Sequence, residues 1–135
     1  MSNSEEDIRS LLDTFYRILS GRRDDARDWA KFRQLFIHDA HLTALGAHAQ
    51  RHITVTDSVD SYIARMDPFL QEQDFYEHGS SYSIGVHGDM AQVCSRYEAR
   101  ISKNATEPRR KGVNLVQLVC VDGVWGIASM LWQDD

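Results

Sequence analysis

Two dipeptides, Gly88-Asp89 and Asp122-Gly123, stand between stretches in which apolar residues recur at every second position. Glycine supplies a positive φ at no steric cost, so the first pair suits a two-residue type II′ hairpin and the second a type I′ hairpin. A tight turn fixes strand register, and register decides which side chains share a face. An unbroken ladder from the first turn pairs Val86 with Ala91, Ile84 with Val93, Tyr82 with Ser95, Ser80 with Tyr97 and His78 with Ala99, all on one face. On the reverse face Ser81 meets Arg96, and Glu77 meets Arg100 as an opposite-charge pair. The second turn sets Cys120 opposite Trp125, Leu118 opposite Ile127 and Val116 opposite Ser129, with Leu115–Met130 and Val113–Trp132 on the other face. Trp125 and Trp132 then point to opposite sides, as do Asn114 and Gln117. Both faces of this hairpin are apolar, so both should be covered: one by helices, the other by a second copy of the chain.

The N-terminal half carries a different period. After Ser4, an expected N-cap with Asp7 three residues on, Ile8, Leu11, Leu12, Phe15, Ile18 and Leu19 recur at helical spacing until Gly21. A short second helix carries Trp29, Phe32 and Phe36 behind an acidic start at Asp24, Asp25 and Asp28. Two extended pieces follow, HLTALG and RHITVT, joined by a loop at Ala47 to Gln50. A third helix begins near Asp57 and presents Val59, Tyr62, Ile63, Met66, Phe69 and Leu70 on one side, with Pro68 expected to kink it.

At 135 residues the chain is one domain, residues 1–135. A net charge of −5 argues against a non-specific nucleic-acid binder, which needs a basic face to displace counterions. Arg109-Arg110-Lys111 reads as a solvated loop tip. No apolar run reaches the ~18 residues that cross a bilayer. The opening MSNSEED is acidic where a secretory signal is basic and then apolar. Two cysteines, Cys94 and Cys120, make no disulfide framework. A cytoplasmic location with free thiols is expected.

Three segments carry a family resemblance: LFIHDAHLTALG after the second helix, GDMAQVCSRYEAR on the fourth strand and GVNLVQLVCVDGVWGIASMLW at the end. With the element order, they resemble the nuclear transport factor 2-like superfamily in its SnoaL-like branch, over nearly the whole chain. The last two also look like a bacterial group with a YE dipeptide and a GxNxxQL strand. The resemblance implies an α+β, cystatin-like cone: a strongly curved, mixed or antiparallel sheet wrapped around three N-terminal and inserted helices. It further implies a homodimer joined through the outer sheet face. The superfamily includes ketosteroid isomerase, scytalone dehydratase and polyketide cyclases beside members without known catalysis, so fold alone does not choose a function. Tyr16 stands where the isomerase has its oxyanion-binding tyrosine. The isomerase's aspartate base falls on Ala44, which disfavours that route. His78 occupies a place comparable to a scytalone dehydratase histidine.

The candidate chemistry therefore centres on His78 as proton carrier, since imidazole titrates nearest neutrality, with Tyr16 and Tyr97 as hydroxyl partners. Tyr62, Met66, Phe69, Tyr82, Phe32, Phe36, Asn114 and Trp132 are the expected ligand-binding walls, suited to a hydrophobic or aromatic small molecule. Asp39, between His38 and His41, reads as a cap or the start of a strand rather than as a catalytic orienter. His38, His41, His48 and His52 straddle a helix end and a loop, so no metal site is expected, and no cofactor. Two functions fit: a pocket protein with the means for cofactor-free isomerisation, dehydration or cyclisation, and a non-catalytic dimeric binding or association module.

Overall fold

The computed structural model describes residues 3–48 and 51–135, the side chains of residues 47, 48 and 51–53 excepted. Three helices, α1 (Ser4–Leu19), α2 (Trp29–Gln34) and α3 (Val59–Glu72), accompany six strands. These are β1 (Phe36–His48), β2 (Arg51–Ser58), β3 (Tyr76–His87), β4 (Met90–Arg100), β5 (Arg110–Val121) and β6 (Val124–Asp134). They form one curved mixed sheet in the order β2-β1-β6-β5-β4-β3. Strands β3 to β6 are the expected meander. The β1–β2 hairpin joins it through a parallel pairing of β1 with β6. No helix among the described residues is long and apolar enough to cross a membrane.

Helix α1 buries Ile8, Leu12, Phe15, Tyr16 and Leu19 against the sheet, the one face its three- and four-residue spacings create. Asn3 rather than Ser4 occupies its N-cap, and the Asn3 carbonyl accepts from the Asp7 N–H at 2.9 Å. Helices α2 and α3 have side-chain caps: Asp28 accepts from the Lys31 N–H at 3.0 Å, and Ser58 from the Ser61 N–H at 3.1 Å. Helix α3 continues through Pro68 to Glu72. Phe36 is not helical. α2 ends at Gln34, and Phe36 opens β1 opposite Ile127. Phe15, Phe32 and Phe36 pack as an aromatic cluster, with ring centroids 5.1 to 6.4 Å apart. Asp39 lies inside β1 at a bulge against β6, exposed and with φ 63°, so the strand starts before it rather than at it.

Both tight turns form as their residues require. Gly88 alone has positive φ in the first turn, whereas Asp122 and Gly123 both do in the second. The registers they start do not run unbroken, and two bulges overturn the expected face assignments. On β3, pairing holds from His87–Met90 back to Ser81–Arg96, and then Ser80 is extruded. Beyond it Gly79 faces Tyr97, His78 faces Glu98 and Glu77 faces Ala99. One surplus residue exchanges the faces of everything before it. Glu77 turns inward and His78 outward. On β6 a shift beside Leu118 brings Met130 opposite Val116 and Trp132 opposite Asn114. Trp125 and Trp132 therefore share the inner face, with Asn114 rather than Gln117.

The first bulge requires a glycine beside it. A Cβ on Gly79 would lie 2.2 Å from the Tyr82 ring, which is pinned by a hydrogen bond to Asp13 (2.6 Å) and by Arg9 over its face (5.3 Å). A Gly79→Ala substitution should therefore lower the chemical-denaturation stability by about 1–3 kcal/mol. Gly85→Ala, whose Cβ would meet nothing within 4 Å, should be neutral or slightly stabilising. Equal effects of the two changes would show that the Gly79–Tyr82 contact does not hold the bulge.

Candidate functional site

A cavity of about 290 Å³ opens between the inner sheet face and helices α1 and α3. Helix α3 contributes Tyr62, Met66 and Phe69, three successive turns of one apolar side. Helix α1 contributes Phe15 and Leu19, and the strands contribute Ala44, Tyr97, Asn114, Met130 and Trp132. Tyr62 meets the Trp132 ring edge-on at 5.9 Å and stacks on Phe32 at 5.7 Å, so one wall is tied to the aromatic core. The volume suits a molecule of one or two rings.

The lining also carries Arg65, Arg110 and one carboxyl group, that of Glu77. Its backbone is stitched to the end of α1. The Ser20 hydroxyl accepts from the Glu77 N–H at 2.9 Å and reaches the Glu77 carbonyl at 3.0 Å, and Gly21 and Phe75 exchange backbone hydrogen bonds of 2.7 and 3.0 Å. The carboxyl itself has no hydrogen bond or ion pair among the described residues. Burial pushes it up from the usual 4.5 to about 7; Asp134 reinforces the shift and the Arg110 guanidinium opposes it. Arg110 cannot offer Glu77 its whole charge, because it already donates to Asp134 at 3.0 Å. Desolvation wins. At neutral pH the group is poised between acid and base.

The surrounding hydroxyls divide into engaged and free. Tyr16 OH accepts from Asn114 Nδ2 at 2.7 Å and shares a further hydrogen bond with Ser95 Oγ at 2.6 Å. Ser95 and Asn114 are 0% and 5% exposed, so this is a satisfied buried network, and burial raises Tyr16 to about 12. Tyr97 OH donates to Asp134 at 2.5 Å, passing over Gly112, whose Cβ would lie 2.3 Å from that oxygen. Tyr62 alone among the cavity tyrosines has a hydroxyl with no hydrogen-bond partner among the described residues. Burial, with the nearby Glu77 charge, raises its pKa and keeps it protonated as a donor.

The sequence-level candidates fall into two groups. Tyr62, Met66, Phe69, Tyr97, Asn114 and Trp132 line the cavity. The rest do not. His78 is exposed and pairs with Glu98 on the outer side of the bulge, so the placement on which its proton-carrier role depended is lost. The Tyr16 hydroxyl is used up in the Ser95–Asn114 network, Phe32 and Phe36 belong to the core, and Tyr82 turns to Asp13 and Arg9 at the surface. The anticipated Glu77–Arg100 pair is replaced by Arg100 with Glu98, at 3.0 Å. His38 and Asp39 lie 3.5 Å apart in solvent, and the His48 and His52 side chains fall outside the described residues. Among the described residues no three His, Cys, Asp or Glu side chains converge as metal ligands. Glu77 and Arg110 were missed. The signal was Gly79-Ser80-Ser81: an isolated glycine in an alternating strand marks a bulge.

Comparison with known proteins agrees with this architecture. The profile of the SnoaL-like domain matches residues 1–130. A protein of unknown function with a cystatin-like fold from Nostoc punctiforme superposes with a TM-score of 0.75 at 13% identity, covering 100% of this chain and 93% of that one. A putative scytalone dehydratase from Novosphingobium aromaticivorans gives 0.68 at 16% identity, with 98% and 84% covered. The beta subunit of a putative aromatic-ring-hydroxylating dioxygenase from the same organism gives 0.73 at 16%, with 98% and 89% covered. At these identities the likeness is one of fold. No curated protein matched the sequence.

The raised carboxyl has a consequence for stability. The folded chain holds the Glu77 proton to about pH 7 and the unfolded chain only to about 4.5, so the stability this group contributes is complete below about 4.5 and is lost as pH rises to about 7. Glu77→Gln should remove that loss and make the protein more stable than wild type at pH 8, by roughly 3 kcal/mol at most. Denaturant titrations at pH 4.5, 6 and 8 check it. An unchanged slope in the variant would show that the carboxyl is solvated.

Proposed function

The chain belongs to the SnoaL-like domain family, and from that premise we propose that it binds a small hydrophobic or aromatic molecule and moves a proton on it through Glu77. The observation that carries this reading is a carboxyl without a hydrogen bond or ion pair among the described residues, pushed up to about 7, in a cavity walled mainly by Phe, Tyr, Trp, Met and Leu side chains, with Arg65, Arg110 and Asn114 as its other polar lining. A structural carboxylate would have a partner. A carboxyl kept free and half-protonated at neutral pH is matched to abstracting a proton from carbon and returning it elsewhere.

In this mechanism the ligand's ring lies against Met66, Phe69 and Trp132. Glu77 takes the proton adjacent to a carbonyl, and the Tyr62 hydroxyl donates to the oxygen on which negative charge develops. Returning the proton at another carbon gives isomerisation; loss of a β-hydroxyl gives dehydration. Neither step calls for a cofactor. Tyr97 and Asp134 hold Arg110 beside Glu77, which limits how far the carboxyl rises. The protein is expected to act in the cytoplasm.

The reading is tested by hydrogen–deuterium exchange of a bound aryl ketone in deuterium oxide, followed by proton NMR, with binding read independently from tryptophan fluorescence. Wild-type protein should accelerate exchange, with a rate that rises through about pH 7. Glu77→Gln should still bind while exchange falls by about two orders of magnitude or more. Exchange undiminished in the variant would remove Glu77 from the chemistry.

A second reading, a dimeric association module, is favoured by the outer sheet face. Leu115 (50% exposed), Met90 (59%) and Leu131 (39%) stand there without cover, beside Gln117 and Cys94. This face would join two copies whether or not the cavity is catalytic. Sedimentation should report a wild-type dimer at micromolar concentration, with Leu115→Asp a folded monomer. A monomeric wild type would overturn the dimer.

A further inference from the structure

We infer that the ligand is an organic carboxylate, held with its apolar body in the cavity and its charged end at a cluster of three arginines next door. This inference rests on the reading of the cavity as a ligand pocket. Beside the cavity lies a second hollow of about 230 Å³. Phe69, Phe75 and Arg110 border both spaces, so the two are neighbours across a single layer of side chains. The far side of the second hollow carries Arg100 and Arg109.

The three guanidiniums are not equivalent. Arg100 is matched by Glu98 at 3.0 Å and Arg110 by Asp134 at 3.0 Å. Arg109 has no ion pair or side-chain hydrogen bond among the described residues; only its backbone is fixed, its N–H donating to the Ala99 carbonyl at 2.7 Å. The cluster thus has one positive charge to spare. That matches a carboxylate, with one negative charge, better than a phosphate monoester with nearly two. It also assigns a purpose to the first arginine of the Arg109-Arg110-Lys111 run, which looks like a solvated tip in the sequence alone. The overall charge of −5 repels anions, so any preference for one must come from this local arrangement. In this proposal an arylalkanoate spans both compartments by parting the layer of side chains between them. Its ring would pack on Met66 and Trp132, and its chain would pass Phe69 and Phe75 to end at the Arg109 fork.

The experiment compares 6-phenylhexanoate with its neutral primary amide, binding to the whole protein at pH 7.5 and followed by tryptophan fluorescence. Wild-type protein should bind the carboxylate five- to tenfold more tightly than the amide, and added sodium chloride should shrink the difference. Arg109→Gln, a substitution at an exposed side chain away from the core, should bring the carboxylate down to the affinity of the amide and leave the amide unchanged. If amide and carboxylate bind equally to wild type, or if Arg109→Gln weakens both alike, the carboxylate assignment is wrong while the pocket reading stands. If neither probe binds at millimolar concentration, both fall together.

Discussion

The space above the Cα of Gly79 is filled by the ring of Tyr82, so no side chain can occupy it, and beside this contact β3 extrudes Ser80. Every inward-facing group before that point depends on this local adjustment. Without it, His78 would enter the cavity and Glu77 would lie in solvent among the charges of β4. The bulge also bends the strand where it must reach the end of α1, and the Ser20 and Gly21 hydrogen bonds hold it there. A contact between a missing Cβ and an aromatic ring thus decides which titratable group the cavity contains.

The character of the site then follows from competition between burial and pairing. Two carboxylates near the cavity rim, Asp57 and Asp134, sit against Arg65 and Arg110 and are ordinary ion pairs. Glu77 is the one left over. Its position differs from the one implied by resemblance to ketosteroid isomerase, which would place a carboxylate at Ala44. Here β1 presents a methyl group to the cavity, opposite Trp132, and the carboxyl enters from β3 instead. The same cone can be given acid–base capacity from different walls.

Much of this was legible in the residues. The positive-φ signatures of Gly88-Asp89 and Asp122-Gly123 gave the correct turns, and the spacing of Tyr62, Met66 and Phe69 gave the helical wall. Register failed where the ladder was assumed unbroken, on β3 before Ser81 and on β6 after Ile127. This bulge sits in a tertiary setting: a ring from the same strand, steadied by Asp13 and Arg9 of α1, lies over the backbone of Gly79. Alternation within β3 alone carries no trace of α1. Gly79 was a visible hint, but only the packed helix says why a glycine is required there. The Tyr16–Ser95–Asn114 network escaped notice for the same reason, since its members are 79 and 98 residues apart in pairs. The aromatic walls at Phe32 and Phe36 failed on a simpler count: the core takes both rings, Phe32 from within α2 and Phe36 from the start of β1.

The parallel pairing of β1 with β6 bears on how the protein is made. β1 precedes β6 in the chain, so the edge of β1 that does not pair with β2 stays open until β6 has been added. The β1–β2 hairpin with α3 would meanwhile display unpaired backbone and the apolar sides of Leu42 and Tyr62. The meander β3 to β6 needs only neighbouring turns to assemble. It pairs only strands that are consecutive in the chain, whereas the β1–β6 pairing must close a much longer loop. Until that pairing closes, the open edge of β1 is a template on which another chain's strand can pair.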